Sequence, residues 1–440
     1  MEYYGYNKVR KIIKRGVNML ESFRVSNFAS FKDEVYITTL CNSSRKELIK
    51  TNTFECRDSR YNKVTYIYGA NGSGKTNLFL ALNKLRKTIV MSTVIGAKSN
   101  KILEVPIIKK ELNSPIENFK FDSDSKFKPT LFGIDVIIDE MLYSYEFEIL
   151  DGKIISELLT KKNKRKEVLI KRTSPSFEDI ILRSDLAKFK PNVNVVRENS
   201  LCLAMAALLN NKLANEIINE IMGIDIINMA NMNGNTRFNE ENTSEEFIHR
   251  YLDILKSVDP TLKNLIIELK ENCDIPVDED DEFQSKDVII KNIRVDVSSV
   301  HDVYKEHRKV SEIELPFLKY ESNGTVKLFG ILPSIFEALD TGGVLFIDEL
   351  ENGLHPLVVE FIIKLFNDTS INPKNAQLIC STHNTLLLEE CRRDQVWFMD
   401  KNEYGESKLL RLSDFLNIRK NDNISEKYLK GVFGAIPKFK

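Results

Sequence analysis

The run Gly69-Ala70-Asn71-Gly72-Ser73-Gly74-Lys75-Thr76 matches GxxxxGK[ST], a spacing suited to a polyphosphate. Glycines at this density let successive backbone N–H groups turn toward phosphate oxygens, and a helix beginning at the loop's end adds its positive pole. Asn71, Gly72, Ser73, Gly74, Lys75 and Thr76 are therefore the expected nucleotide-binding residues. Lys75 would reach the β- and γ-phosphates of ATP, and the Thr76 hydroxyl would hold Mg²⁺. A second group, Val344-Leu345-Phe346-Ile347-Asp348-Glu349, ends four apolar residues in two carboxylates. Asp348 would complete the Mg²⁺ shell through water, while Glu349 would orient and deprotonate the attacking water. His383 follows the apolar run Gln377–Ser381, where it could hydrogen-bond the γ-phosphate or that water. Lys75, Glu349 and His383 are the catalytic candidates.

These residues need rigid elements behind them. Val64–Tyr68 is a short apolar run leading into the glycines, and Leu78, Leu82, Leu85 and Ile89 recur at the period of an amphipathic helix. The order strand, glycine loop, helix is the context the phosphate loop requires. Val344–Ile347 and Gln377–Ser381 read as further strands of a buried parallel sheet, separated by a helix that Pro356 opens. Upstream, Leu328, Leu332, Ile335 and Leu339 form a helical stripe in which Pro333 is expected to place a kink. Val396–Met399 and Leu409–Leu412 read as a closing hairpin around Gly405.

The middle differs. Tyr143, Tyr145, Phe147 and Ile149 alternate with polar residues before the hairpin signal Asp151-Gly152, as in an antiparallel sheet. A helical stretch is expected from about Leu201 to Lys270, then an exposed acidic loop at Asp278–Glu282, then strand alternation over Val288–Val297. The expected organisation is a basic extension over 1–18, one ATPase half over 19–91, an insertion over 92–315 and the second half over 316–440.

With 42% hydrophobic and 29% charged residues, the chain falls outside disordered, collagen-like and membrane-embedded classes. No apolar run reaches the ~18 residues of a membrane span. Lys and Arg total 63 against 64 Asp and Glu, so any nucleic-acid contact needs a local patch. Lys161-Lys162-Asn163-Lys164-Arg165-Lys166 reads first as a solvated hairpin tip between two strands, and it is the leading candidate for any contact with DNA, RNA or a partner. Asp122-Ser123-Asp124 reads as a loop, and His249, His301 and His307 as surface or packing residues. Six cysteines without a CxxC pair read as reduced thiols of a cytoplasmic protein.

Glu321-Ser322-Asn323-Gly324-Thr325 lies upstream of the carboxylate pair and offers a hydroxyl, a glycine and a helix N-terminus. With Phe23-Arg24-Val25-Ser26-Asn27-Phe28, Gly69–Thr76, Asp348-Glu349 and Ser381-Thr382-His383, it follows the motif order of ABC-type ATPases. Asp348-Glu349-Leu350-Glu351-Asn352-Gly353-Leu354-His355-Pro356 more closely resembles OLD-like ATPases of bacterial anti-phage and abortive-infection systems, including the ATPase component of PARIS-type defence. Arg392-Arg393-Asp394-Gln395 and Gly434-Ala435-Ile436-Pro437 resemble them too.

The resemblance implies an α/β P-loop NTPase of ABC type with a mixed sheet, interrupted by a β-plus-helical insertion. It also implies a homodimer in which Ser322, Gly324 and Thr325 of one subunit cover ATP held by the other, and a separately encoded effector, a nuclease or toxin. A DNA-clamping repair ATPase like RecF and SMC proteins is the alternative. Two departures stand out. The segment after the carboxylates ends in His355 where aspartate is common, and no glutamine lies between Thr76 and Asp281, where such proteins carry one that senses the metal.

Overall fold

The computed structural model describes residues 19–96, 116–175, 180–232, 244–272, 292–416, 418–419 and 422–437. The basic extension 1–18, the acidic run Asp278–Glu282 and Cys273 lie outside the described residues. In chain order come β1 (Met19–Ser26), β2 (Val35–Thr38), β3 (Thr53–Cys56), β4 (Ser59–Asn62), β5 (Val64–Tyr68) and the helix α1 (Lys75–Gly96). A meander follows: β6 (Thr130–Ile138), β7 (Met141–Leu150), β8 (Lys153–Lys162), β9 (Lys166–Arg172) and β10 (Ile181–Leu182). Next are α2 (Cys202–Leu208), α3 (Lys212–Gly223), β11 (Asp225–Asn228) and α4 (Glu245–Val258). β12 (Leu262–Asn272), β13 (Asn292–Lys305), β14 (Arg308–Pro316) and α5 (Asn323–Thr341) lead to β15 (Val344–Asp348). The chain continues through α6 (Pro356–Asn367), β16 (Gln377–Ser381), β17 (Val396–Lys401) and β18 (Ser407–Arg411).

The described chain divides into two compact units; the smaller holds Asn231–Phe336 and Gly353–Val358. In the larger, a seven-stranded sheet runs β10-β9-β8-β7-β6-β1-β2 with every pair antiparallel. Tyr143, Tyr145, Phe147 and Ile149 turn one face of β7 into the core, as their alternation predicts. The meander is not separate from the N-terminal strands. β6 pairs along β1 from Met19↔Ile137 to Ser26↔Leu131, so the segment expected to begin an insertion at 92 shares a sheet with β1. The cause lies beyond local pattern: a buried β1 needs backbone partners on both edges.

The second sheet of the larger unit runs β11-β15-β16-β5-β17-β18, parallel except for β18. β5, β15 and β16 are buried along their whole length, which explains their continuous rather than alternating hydrophobicity. Leu78, Leu82, Leu85 and Ile89 of α1 are buried in one cluster with Phe346, Ile379 and Met399. Each such side chain contributes about 1.5–3 kcal/mol by leaving water. Because the strands are parallel, the loops after β5, β11, β15 and β16 leave the sheet at one edge, where open α/β sheets place ligands.

The smaller unit pairs β12, β13 and β14 antiparallel beside α4, with Tyr251 stacked on Phe336 at 5.5 Å between ring centroids. The helical stretch expected to Lys270 is interrupted twice. β11 is only four residues, too short for periodicity to separate from helix, and exists through its pairing with β15. β12 replaces the expected end of the helix: α4 stops at Val258, just before Pro260, and β13 supplies the partner strand. Pro333 lies within α5, which continues through it. No helix among the described residues is long and apolar enough to cross a membrane.

Candidate functional site

The glycine loop leaves β5 and turns back into α1 with Gly72 at φ 76° and Gly74 at φ 113°, a region that penalises side chains. A Cβ on Gly74 would also come within 2.7 Å of the Ser30 and Ser407 hydroxyls. Those two serines brace the loop from behind: Ser407 Oγ donates to Ser73 O at 2.6 Å, and Asn77 Nδ2 donates to Ser30 Oγ at 2.7 Å. Neither serine was legible as a site residue, because each lies far from the loop in sequence. Asn71 and Gly72 are exposed, Thr76 is half-buried in the first turn of α1, and the buried Ser73 Oγ has no hydrogen-bond partner. An orphaned buried hydroxyl beside a ring of glycines suits a phosphate oxygen.

Lys75 is 6% exposed and folds back over the loop. Its Nζ donates to Gly69 O at 2.6 Å and Ala70 O at 3.2 Å, and lies 3.2 Å from His383 Nε2. Burial lowers the Lys75 ammonium below the ordinary lysine range, while Asp348, Glu351 and Glu349 pull it upward. Burial also lowers the His383 imidazole, and the Lys75 charge lowers it further against the pull of Glu351, Glu349 and Asp348. His383 is held by its own backbone, whose N–H donates to Glu351 Oε1 at 2.7 Å.

Asp348 ends β15 and is 1% exposed. Ser381 Oγ donates to its Oδ1 at 2.5 Å, and Asn228 Nδ2 donates to its Oδ2 at 3.2 Å. The same Ser381 oxygen accepts the Glu349 N–H at 2.7 Å. Glu349 takes φ 55°, a left-handed turn that swings the chain off the strand, and its Oε2 accepts from Asn352 Nδ2 at 2.8 Å. A carboxylate in so unfavourable a backbone state persists only where its surroundings fix it. The structure thus brings Lys75, His383, Asp348 and Glu349 to one edge of the parallel sheet. Thr76 and Asp348 supply hard oxygen donors of the kind Mg²⁺ takes beside substrate phosphates, so this donor set fits that ion. Among the described residues no group of three His, Cys, Asp or Glu could hold a metal by itself.

Ser322, Gly324 and Thr325 belong to the smaller unit. Ser322 Oγ accepts the Thr325 N–H at 3.1 Å and lies 2.9 Å from Thr325 Oγ1, the bonding of an N-cap on α5. Gly324 is required by close approach: a Cβ there would meet Gly353 O at 2.9 Å. A cavity of about 260 Å³ lies between these residues and Gly353, His355 and Val258. His301, read from sequence as surface or packing, places Nε2 2.8 Å from Glu321 Oε1, one residue before Ser322. Lys162–Lys166 form the exposed tip of the β8–β9 hairpin, with Arg57 Nη2 donating to Lys162 O at 2.9 Å. Asp122 and Asp124 lie in a loop, where Asp122 Oδ2 accepts from Ser125 Oγ at 2.8 Å. The five described cysteines are free.

Residues 64–389 match a protein-family model described as "AAA domain, putative AbiEii toxin, Type IV TA system". No curated protein matches the chain. Among solved structures the chain is similar to the SMC head domain from Thermotoga maritima, at 14% identity over 89% of this chain and 98% of that one, with a TM-score of 0.36. It is also similar to an Smc head domain with an extended coiled coil bound to the C-terminal domain of ScpA, from Pyrococcus furiosus, at 14% identity over 94% and 100% of the two chains and a TM-score of 0.40. At such scores the fold assignment rests on the strand order and the family match: this is a P-loop NTPase fold with mixed α/β sheets.

Proposed function

The chain belongs to the AAA-domain family of that model, and on this premise we propose that it is a Mg²⁺-dependent ATPase whose copies close head to head around ATP. The observation that carries the reading is the convergence of the Gly69–Thr76 loop, Asp348, Glu349 and His383 at one edge of the parallel sheet, with Lys75 Nζ 3.2 Å from His383 Nε2. Backbone N–H groups of the loop and the Lys75 ammonium bind and orient the triphosphate. On this reading Lys75 exchanges the Gly69 and Ala70 carbonyls for phosphate oxygens, and His383 is then free to accept a hydrogen bond from, or donate one to, the reacting end. Thr76 and Asp348 would hold Mg²⁺, which would supply positive charge to offset that of the phosphates. Glu349, held by Ser381 and Asn352, accepts the proton of the attacking water.

Ser322, Gly324 and Thr325 close the site of the opposite subunit, and the cavity beside them suits the terminal phosphate. The biological setting we propose is an anti-phage switch controlling a separately encoded effector, with Lys161–Lys166 as a contact for nucleic acid or that partner. The motif resemblance and a family description naming a toxin–antitoxin system support defence over a RecF- or SMC-like DNA clamp. Measuring ATP turnover and mass by light scattering tests the switch: Glu349→Gln should accumulate a nucleotide-bound dimer without turnover. Expression with and without the neighbouring gene tests the setting. Toxicity of this chain alone would make it the effector rather than the regulator.

A further inference from the structure

Asp348 is the metal-facing carboxylate of the site proposed above, and its orientation depends on a residue that no motif contains. Asn228 ends β11, which pairs parallel with β15 so that Asn228 stands directly opposite Asp348. Its side-chain Oδ1 accepts the Ala230 N–H at 2.9 Å, a local turn that fixes which way the amide faces. The NH₂ end is therefore committed to the other side, where it donates to Asp348 Oδ2 at 3.2 Å. On the opposite flank Ser381 donates to Oδ1 at 2.5 Å. Each carboxylate oxygen thus takes a single donor, Oδ1 from β16 and Oδ2 from β11, and the two together hold the carboxylate plane from both flanks. Its remaining lone pairs are free for the hydrated cation.

We propose that Asn228 is a positioning residue for the divalent-cation site, acting through Asp348 and not as a ligand itself. The proposal rests on the reading of Asp348 as the metal-facing carboxylate. It also answers the missing glutamine, because strand register places an amide beside the metal carboxylate from a part of the chain where sequence offers only asparagine. Partners that orient metal carboxylates are typically worth about 10–100-fold in metal affinity.

The test titrates MgCl₂ against binding of a non-hydrolysable ATP analogue by calorimetry, beside binding of the same analogue in EDTA. Asn228→Ala should raise the Mg²⁺ concentration for half-maximal tight binding by about tenfold, with metal-free affinity and melting temperature close to wild type. Asn228→Ser keeps a turn acceptor for the Ala230 N–H but is too short to reach Asp348, so it should fold normally and shift Mg²⁺ dependence equally. Asn228→Gln, which retains the amide donor, should recover much of the loss. If Asn228→Ser keeps the wild-type Mg²⁺ dependence while Asp348→Ala abolishes it, the positioning role is wrong and the reading of Asp348 stands. If Asp348→Ala leaves Mg²⁺ dependence unchanged, the reading of Asp348 itself fails.

Discussion

Lys75 Nζ lies 3.2 Å from His383 Nε2, so the ammonium of the phosphate loop and the imidazole beyond β16 share one hydrogen bond. Lysine carries only donors, and His383 must therefore present an unprotonated Nε2 to accept it. Both groups are shifted toward their neutral forms, each first by burial.

A pH dependence follows from that contact. His383 has its folded-state pKa below the ordinary 6.5, so between the two values the unfolded chain binds more protons than the folded one. Its contribution to stability is present above 6.5 and is lost as pH falls through the lowered folded pKa. The melting temperature of the nucleotide-free protein should therefore drop in that acid window, and His383→Gln should flatten this part of the curve. Parallel curves for the two proteins would mean that the contact does not control the titration.

Lys75→Ala should remove tight ATP binding, because the loop then keeps its N–H groups but loses its buried cation. Gly74→Ala should fail earlier, at folding or loop closure, since φ 113° and the Ser30 and Ser407 hydroxyls leave no place for a methyl group. Calorimetric affinity and melting curves separate the two: unchanged ATP affinity in Lys75→Ala contradicts the assignment of the loop.

Glu349→Gln preserves shape and the Asn352 contact while removing the base. Binding should persist and steady-state turnover should fall by about 10²- to 10⁴-fold. Wild-type turnover in this variant would place the base elsewhere.

The composite site predicts complementation between subunits. Gly324→Asp would combine lost function with a clash at Gly353 O, so the exposed Ser322 is the cleaner position. Lys75→Ala and Ser322→Arg homodimers should each be inactive. Mixed, they should regain up to about a quarter of wild-type turnover if pairing is random and the sites act independently. Normal turnover by Ser322→Arg alone would return Ser322 to the role of a helix cap.

The local, contiguous features were legible in the sequence. Gly69–Thr76 announces itself because a phosphate loop needs consecutive residues, and the apolar runs of β5, β15 and β16 are continuous because both faces of their sheet are buried. The stripe Leu78, Leu82, Leu85 and Ile89 carries helix α1 by period alone. What only tertiary structure decided depends on partners far along the chain. β11 and β12 fall in a stretch whose pattern suggests helix, and they become strands because β15 and β13 offer unpaired edges. Asn228 meets Asp348 across 120 positions, and Ser381 meets both Asp348 and Glu349 from the next strand. Strand register sets which side chain stands opposite which, and register is a property of the paired sheet that neither strand carries alone.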